Sequence, residues 1–107
     1  MPLSQPRHDR ILASVQAVRE EYRAFLAAAP GDIRQRDHVL LVGYWLDDIE
    51  RSILPRAQTA TDDVTQGRWL ALGETVVERV RVLLESAQSE ADCIRSGMAR
   101  VSARGRS

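Results

Sequence analysis

The sequence predicts an all-α protein: an antiparallel bundle of three helices with a long C-terminal helix, or of four if that helix breaks. We expect it to be dimeric. Three stretches repeat apolar residues in steps of three and four, the spacing of one helix face packed along another helix. Segments containing Pro, Gly or Asp separate these stretches, and 107 residues are the length of a single domain. The stripes are Ile11, Val15, Val18, Tyr22, Phe25 and Ala29; Val39, Val42, Leu46, Ile49 and Ile53; and Leu72, Val76, Val80, Leu83, Ala87, Ala91, Ile94, Met98 and Val101.

The first predicted helix spans residues 6–29, after a flexible segment of residues 1–5. Ser4 is placed as its N-cap, and Pro6 is tolerated in a first turn because the amide hydrogen it lacks would be unpaired there. Pro30-Gly31-Asp32 ends this helix and begins the next, since proline cannot continue a helix and aspartate caps one. So short a connection predicts an antiparallel helical hairpin.

The second predicted helix spans residues 33–54 and is apolar on nearly every side between residues 39 and 46. Two neighbouring helices cannot cover such a helix fully, so this stretch is expected to form the centre of the core and also a candidate subunit interface. Gly43 costs about 1 kcal/mol of helix stability relative to alanine, and we expect a close helix crossing to offset it. Pro55 is expected to end the helix, and residues 55–61 to form a polar linker.

The third predicted helix spans residues 62–103, capped by Asp62 or Asp63 and followed by a frayed basic tail, 104–107. Its forty or so residues would extend about 60 Å, against about 35 Å for each of the other helices. Either it breaks near residues 86–89 and folds back, or it stays continuous and packs its distal half against a second copy. We favour the continuous helix because no Gly or Pro marks a turn there, and this favours a two-fold homodimer.

Composition excludes several classes of function. Fifteen basic residues, all arginine, balance fifteen acidic ones, so there is no overall basic field for nucleic acid. The single cysteine, Cys93, excludes an intramolecular disulfide and a zinc site built on thiolates. No apolar run approaches the ~20 residues that cross a bilayer, and the N-terminus lacks the apolar core of a secretory signal. We therefore expect a cytoplasmic protein without a membrane partner.

A partner protein is the favoured kind of ligand, because aromatic and apolar side chains at the surface are typical of binding hot spots. Trp69 lies early in the last helix, where packing should be thinner, although packing at the end of the bundle is the simpler interpretation. The candidate interaction residues are Tyr44, Trp45, Trp69, Ile94, Met98 and Val101.

Nucleic acid is the alternative partner. The last fifteen residues contain four arginines and no acidic residue, and arginine binds phosphates. Seven acidic residues just upstream could pair with them within the protein. The candidate phosphate contacts are Arg95, Arg100, Arg104 and Arg106.

One acidic cluster could in principle bind a divalent ion: Asp47, Asp48 and Glu50, on the same helix as His38. The simpler interpretation is a solvated face with an ion pair to Arg51. Three acids near a helix C-terminus oppose the helix dipole, which suggests an arginine from another helix or another protein. Neither histidine has the Glu-x-x-His pattern of di-iron bundles, so we expect no metal and no cofactor.

No phosphate-binding loop, nucleophile elbow or acid–base pair is present in the sequence, so we expect no enzymatic activity and no catalytic residue. The sequence therefore predicts a non-catalytic protein–protein interaction module of the adaptor, chaperone or inhibitor type, acting as a homodimer. The alternative is a nucleic-acid-associated regulator that uses the arginine-rich C-terminal segment.

Overall fold

The computed structural model describes the backbone of residues 5–104 and the side chains of residues 5–97, and within that range it is helical with no strand. This confirms the predicted all-α class and the long C-terminal helix. Ser4 and the tail residues 105–107 lie outside the described residues. The elements are α1 (Gln5–Ala28), α2 (Gly31–Arg34), α3 (Asp37–Asp48), a π-helical turn (Ile49–Ile53), α4 (Leu54–Thr59) and α5 (Asp63–Arg104).

The two long helices, α1 and α5, run side by side in the same direction. Arg7 Nε donates to Glu74 Oε2 at 3.0 Å, and Arg95 Nη2 donates to the carbonyl of Ala28 at 2.7 Å, so partners 67 positions apart meet at both ends of α1. The helical segment 37–59 runs in the opposite direction between them. The extents of 69 × 20 × 18 Å are those of a narrow rod.

A single apolar core follows the length of this rod. Its members come from every helical element, including the short α2, which contributes the fully buried Ile33. The buried apolar residues are Ile11, Val15, Val18, Phe25, Ala29, Ile33, Val39, Val42, Leu46, Ile49, Ile53, Leu54, Ala57, Leu70, Val77, Val80, Leu84, Ala87 and Ala91.

The chain itself covers most of the overhang that was expected on the last helix. α5 is continuous through residues 86–89. Because α1 lies parallel to it, the connection that follows α1 reaches the distal part of α5, where Arg36 Nη2 lies 3.1 Å from Glu90 Oε1. Ala87 and Ala91 are consequently buried without a second copy. The expectation that the distal half needs another subunit is therefore wrong as far as Ala91.

Pro55 does not end the second long helix, contrary to the sequence prediction. The π-helical turn widens the backbone just before it, with the amide of Leu54 donating to the carbonyl of Ile49, and α4 then continues to Thr59. A wider turn accommodates a proline because the ring no longer has to fit an α-helical hydrogen-bond ladder. Burial of Leu54 and Ala57 holds this segment on the core. Of the predicted linker 55–61, only residues 60 and 61 lie outside a helix, and the connection to α5 is residues 60–62.

The start of the second helix also differs from the prediction. Residues 31–34 form the separate single turn α2, and α3 begins at Asp37 after the break at Gln35 and Arg36. Asp32 makes no capping hydrogen bond to this turn. Ile33 of this turn is fully buried in the core.

The buried stripe of α5 is shifted from the predicted one in its first half. Leu72 is exposed, and the core row instead passes through Leu70, Gly73 and Val77. A Cβ added at Gly73 would lie 3.4 Å from Ile53 Cγ2 and 3.6 Å from Ile11 Cγ2. Two apolar rows run beside each other on this helix, and the row containing the glycine allows three helices to meet closely.

Gly43 lies at a close helix crossing, as its position in an apolar helix suggested. The ring of Tyr22, on α1, covers it, and an added Cβ would be only 3.1 Å from Cε2 of that ring. The Tyr22 hydroxyl donates to the carbonyl of Val39 at 2.9 Å, and burial raises the pKa of this tyrosine. The glycine therefore permits a hydrogen bond and a ring contact that fix α1 on α3.

Candidate functional site

The outward face of α3 carries the densest group of exposed apolar side chains in the described part of the chain. Leu40, Leu41 and Tyr44 are 56%, 40% and 67% exposed. They lie within little more than one helical turn of each other. α3 packs against α1 and α5 on its other side, where Val39, Val42 and Leu46 are buried. We call Leu40, Leu41 and Tyr44 the α3 strip. A clustered apolar surface of this kind marks interaction sites more often than scattered single residues do.

A shallow groove lies beside the α3 strip. Trp45 forms one wall of it and is itself half-buried against the core. The other wall belongs to α5, where Val82 and Leu83 contribute apolar surface and Glu78 and Arg79 stand at the edge. Leu41, one helical turn before Trp45, connects the strip to this groove. The strip and the groove together offer an apolar surface with charged groups at its border, the usual composition of a binding patch.

Of the other candidate interaction residues, Trp69 is engaged within the chain. The guanidinium carbon of Arg56 lies 5.1 Å from the centroid of its ring, a cation–π contact, and the ring packs on the core. Ile94 is half-buried and also packs on the core. The side chains of Met98 and Val101 lie outside the described ones. The structure thus brings Tyr44 and Trp45 together and places Trp69 and Ile94 elsewhere.

The acidic cluster of α3 pairs with an arginine of another helix. Arg19 Nη1 donates to Asp47 Oδ1 at 3.0 Å, and its Nη2 donates to Glu50 Oε1 at 3.0 Å. Burial alone would lower the pKa of Arg19, but the hydrogen bonds to Glu50 and Asp47 outweigh it, and the pKa is raised. Sequence reasoning anticipated a foreign arginine but did not identify this one. Its place directly after Val18 of the first stripe was the available signal.

The remaining metal-site candidates are dispersed. Asp48 is exposed and makes no contact with the Arg19 cluster, and His38 Nε2 lies 3.5 Å from Glu90 Oε2 on α5. Among the described residues, no group of three or more His, Cys, Asp or Glu side chains converges on a point that could hold a metal ion. Asp47 of α3 and Glu50 of the π-helical turn connect this helical segment to α1 through Arg19.

His8, one of the two histidines without the Glu-x-x-His pattern, is a buried polar residue. It is 8% exposed, and neither ring nitrogen has a hydrogen-bond partner among the described residues. The nearest carboxylate oxygen, from the exposed Asp9, lies 3.7 Å from Nδ1.

The C-terminal arginines are described only in part. Arg95 is bound to the carbonyl of Ala28 and lies 3.5 Å from Asp92, so a phosphate would have to displace these contacts. The side chains of Arg100, Arg104 and Arg106 lie outside the described ones. Hydrogen bonding of a helix C-terminal carbonyl by an arginine is a structural role.

These features describe a small all-helical protein whose most distinctive surface is an exposed apolar strip on its central helix. No helix in residues 5–104 has the length and apolar content needed to span a membrane. Comparison with protein-family models, with curated proteins and with solved structures finds no match.

Proposed function

We propose that this chain is a non-catalytic protein–protein interaction module that acts in the cytoplasm and binds through the α3 strip, with homodimerisation as its first expected association. The observation that supports this most directly is the exposure of three large apolar side chains within a short segment of one helix. Transferring such side chains out of water contributes about 25 cal/mol per Å² of apolar area. A partner that covers the strip would gain that free energy, and the adaptor, chaperone and inhibitor classes all fit this behaviour.

The alternative is a nucleic-acid-associated regulator that contacts phosphates through its C-terminal arginines. It predicts binding that weakens steeply with salt and is lost on truncation after Gly97. The bond from Arg95 to Ala28 leaves Arg100, Arg104 and Arg106 for this role. The α3 strip is the better-supported site because its three large apolar side chains are exposed.

The test uses two substitutions of equally exposed apolar residues. Tyr44 in the strip is 67% exposed, and Val64 in the first turn of α5 is 65% exposed. Multi-angle light scattering over a micromolar concentration series should give wild-type and Val64→Ser protein a mass above the 12.0 kDa of one chain. Tyr44→Ser protein should remain closer to that mass, and it should lose partners that the wild type retains in affinity capture.

A protein that is monomeric throughout the series, and whose captured partners are unchanged by Tyr44→Ser, would contradict the proposal. Because neither substituted side chain belongs to the buried core, both variants should unfold at the wild-type temperature. Circular dichroism during heating checks this, so that loss of association can be separated from loss of fold.

A further inference from the structure

We propose that His8 is an acid-sensitive switch: protonation of its ring releases residues 5–10, the start of α1, from the end of the bundle. Histidine is the side chain whose charge ordinarily changes within the physiological pH range, and such switches act by biasing a local element between two states. The switch does not involve the α3 strip and goes beyond the proposed binding function.

The ring of His8 is enclosed but has no hydrogen-bond partner. The residue is 8% exposed, and neither Nδ1 nor Nε2 has a partner among the described residues. Most buried polar side-chain atoms in folded proteins do have one. A neutral imidazole here gives up its hydrogen bonds with water, and an imidazolium would in addition bring a charge into the core. The charged ring is therefore less compatible with this position than the neutral ring.

The layer of the core at the level of this ring is apolar. Ile11 of α1 and Ile53 of the π-helical turn meet at Gly73 of α5, where an added Cβ would lie 3.6 and 3.4 Å from their Cγ2 atoms. One helical turn closer to the start of α1, the parallel α5 contributes Leu70 and the antiparallel α4 contributes Ala57. Both are 1% exposed. These side chains cannot stabilise a positive charge.

The charged groups at this end of the bundle offer the protonated ring little. Asp9 is the only carboxylate among the described residues within 4 Å of a ring nitrogen; it is exposed, and its Oδ1 already accepts a hydrogen bond from Gln5 at 3.0 Å. Of the other nearby charged residues four are positive, and the fifth, Glu74, is hydrogen-bonded by Arg7 at 3.0 Å. These five are Arg7 and Arg10 of α1, Arg56 of α4, and Arg68 and Glu74 of α5.

The position of His8 in its helix also disfavours the charge. α1 begins at Gln5, so the ring belongs to the first turn, where the helix dipole and the unpaired amide groups oppose a cation. The polar contacts that hold this turn, from Arg7 to Glu74 and from Gln5 to Asp9, are exposed. Exposed ion pairs contribute little to stability. Opening residues 5–10 therefore returns the ring to water while Ile11 stays in the core.

Opening should increase as the pH falls. A histidine exposed to water takes up a proton near pH 6.5. The open turn binds this proton more readily than the closed turn, so the ratio of open to closed molecules rises with acidity. For a single proton the rise approaches about tenfold between pH 7.5 and pH 5.5.

Hydrogen exchange followed by mass spectrometry measures this opening. The amides of residues 9–12 bond to the carbonyls of residues 5–8 in an α-helix, so they report on the released segment. After correction for the intrinsic effect of pH on exchange, their protection should fall by about tenfold between pH 7.5 and pH 5.5. Amides in the middle of α5 should keep their protection.

The chain contains only two histidines, which provides a matched control. His8→Leu places an apolar side chain in the apolar layer, and protection should then be the same at both pH values. His38→Gln removes the other histidine and should leave the tenfold change intact. His8→Gln keeps a polar side chain that does not titrate in this range, and it should lose the pH dependence even if it opens more at both pH values.

Wild-type protection that does not change with pH, or a change that persists in His8→Leu protein, would overturn the proposal. A change that His38→Gln abolishes would assign the pH dependence to the contact of His38 with Glu90 and would overturn it as well. Circular dichroism at both pH values checks that the variants are folded. If His8→Leu protein does not fold, His8→Gln provides the same comparison.

Discussion

Gly67 and Gly43 allow the same substitution to be compared at an open and at a crowded helical position. A Cβ added at Gly67 of α5 has no neighbour within 4 Å, whereas one added at Gly43 of α3 lies 3.1 Å from Cε2 and 3.3 Å from the hydroxyl oxygen of Tyr22. Replacing glycine by alanine in a helix interior gains about 1 kcal/mol. Gly67→Ala should therefore raise the unfolding temperature by about 4 to 6 °C in a domain of this size.

Gly43→Ala should have the opposite effect. It gains the same helix propensity, but the new methyl group displaces the Tyr22 ring and strains its hydrogen bond to Val39. Overpacking costs about 1 to 3 kcal/mol, and a weakened hydrogen bond about another 0.5 to 1.5 kcal/mol. The net result is a loss of about 0.5 to 3.5 kcal/mol, so the two variants should differ by about 1.5 to 4.5 kcal/mol in the free energy of unfolding.

Urea unfolding followed by circular dichroism measures both variants under one condition. A second background isolates the contact: in Tyr22→Leu protein, which lacks the ring, Gly43→Ala should become stabilising. If Gly43→Ala raises stability as much as Gly67→Ala in the wild-type background, the ring does not rest on Gly43, and the close crossing of α1 and α3 is incorrect.

Three further expectations concern polar contacts at the ends and flanks of the bundle. Asp62 Oδ2 accepts hydrogen bonds from both the amide and the hydroxyl of Thr65 at 2.9 Å. Asp62→Ala should therefore lower the unfolding temperature. Asp62→Asn, which keeps a capping oxygen, should retain most of the wild-type unfolding temperature. Hydrogen bonds from Arg7 lower the pKa of the Glu74 carboxyl in the folded protein. The pair therefore stabilises the fold at pH values above the pKa that this carboxyl has in the unfolded chain. This contribution is lost as the pH falls through the lowered pKa of the folded state. Glu74→Gln should therefore lose less unfolding free energy than the wild type in urea titrations between neutral pH and about pH 3. Arg19→Ala should lower the free energy of unfolding by about 1 to 2 kcal/mol in the same assay. Arg19→Lys should lower it by less, because lysine keeps the charge but not the planar fork. Arg19→Lys protein as stable as the wild type would show that the geometry of the two carboxylate contacts does not matter.

The helices could be predicted from the sequence because a helix that buries one face must carry apolar residues every three or four positions. All five residues of the second predicted stripe are buried, and the first stripe is buried apart from the half-buried Tyr22. A spacing of three and four residues has few other causes in a sequence of this length. The last stripe was less certain because α5 carries two adjacent apolar rows, and only packing against Ile11 and Ile53 decides that the row through Gly73 is central.

Pro55 shows where local rules fail. Proline normally ends a helix, and no pattern in the sequence announces the π-helical turn that lets this one continue. Burial of Leu54 and Ala57 on either side makes continuation favourable, and that is a property of the assembled core. The parallel course of α1 and α5 is what an antiparallel bundle of three successive helices already implies.

The candidate site was predictable in part for a simple geometric reason. A helix that is apolar on every side and has two neighbours must leave apolar residues exposed, and these are Leu40, Leu41 and Tyr44. The acidic residues were less predictable, because the partner of Asp47 comes from another helix and only the fold brings them together.

α3 carries the Tyr22 contact on one side and the proposed binding strip on the other, which makes stability and association independently testable. The inner side holds α1 through Gly43, so changes there should alter unfolding and leave the exposed surface intact. The outer side holds Tyr44, which makes no hydrogen bond within the described residues, so changes there should alter association and leave unfolding unchanged. A substitution at Tyr44 that lowers the unfolding temperature of a dilute, monomeric sample would show that the strip belongs to the fold of one chain, and the interaction hypothesis would lose its physical basis.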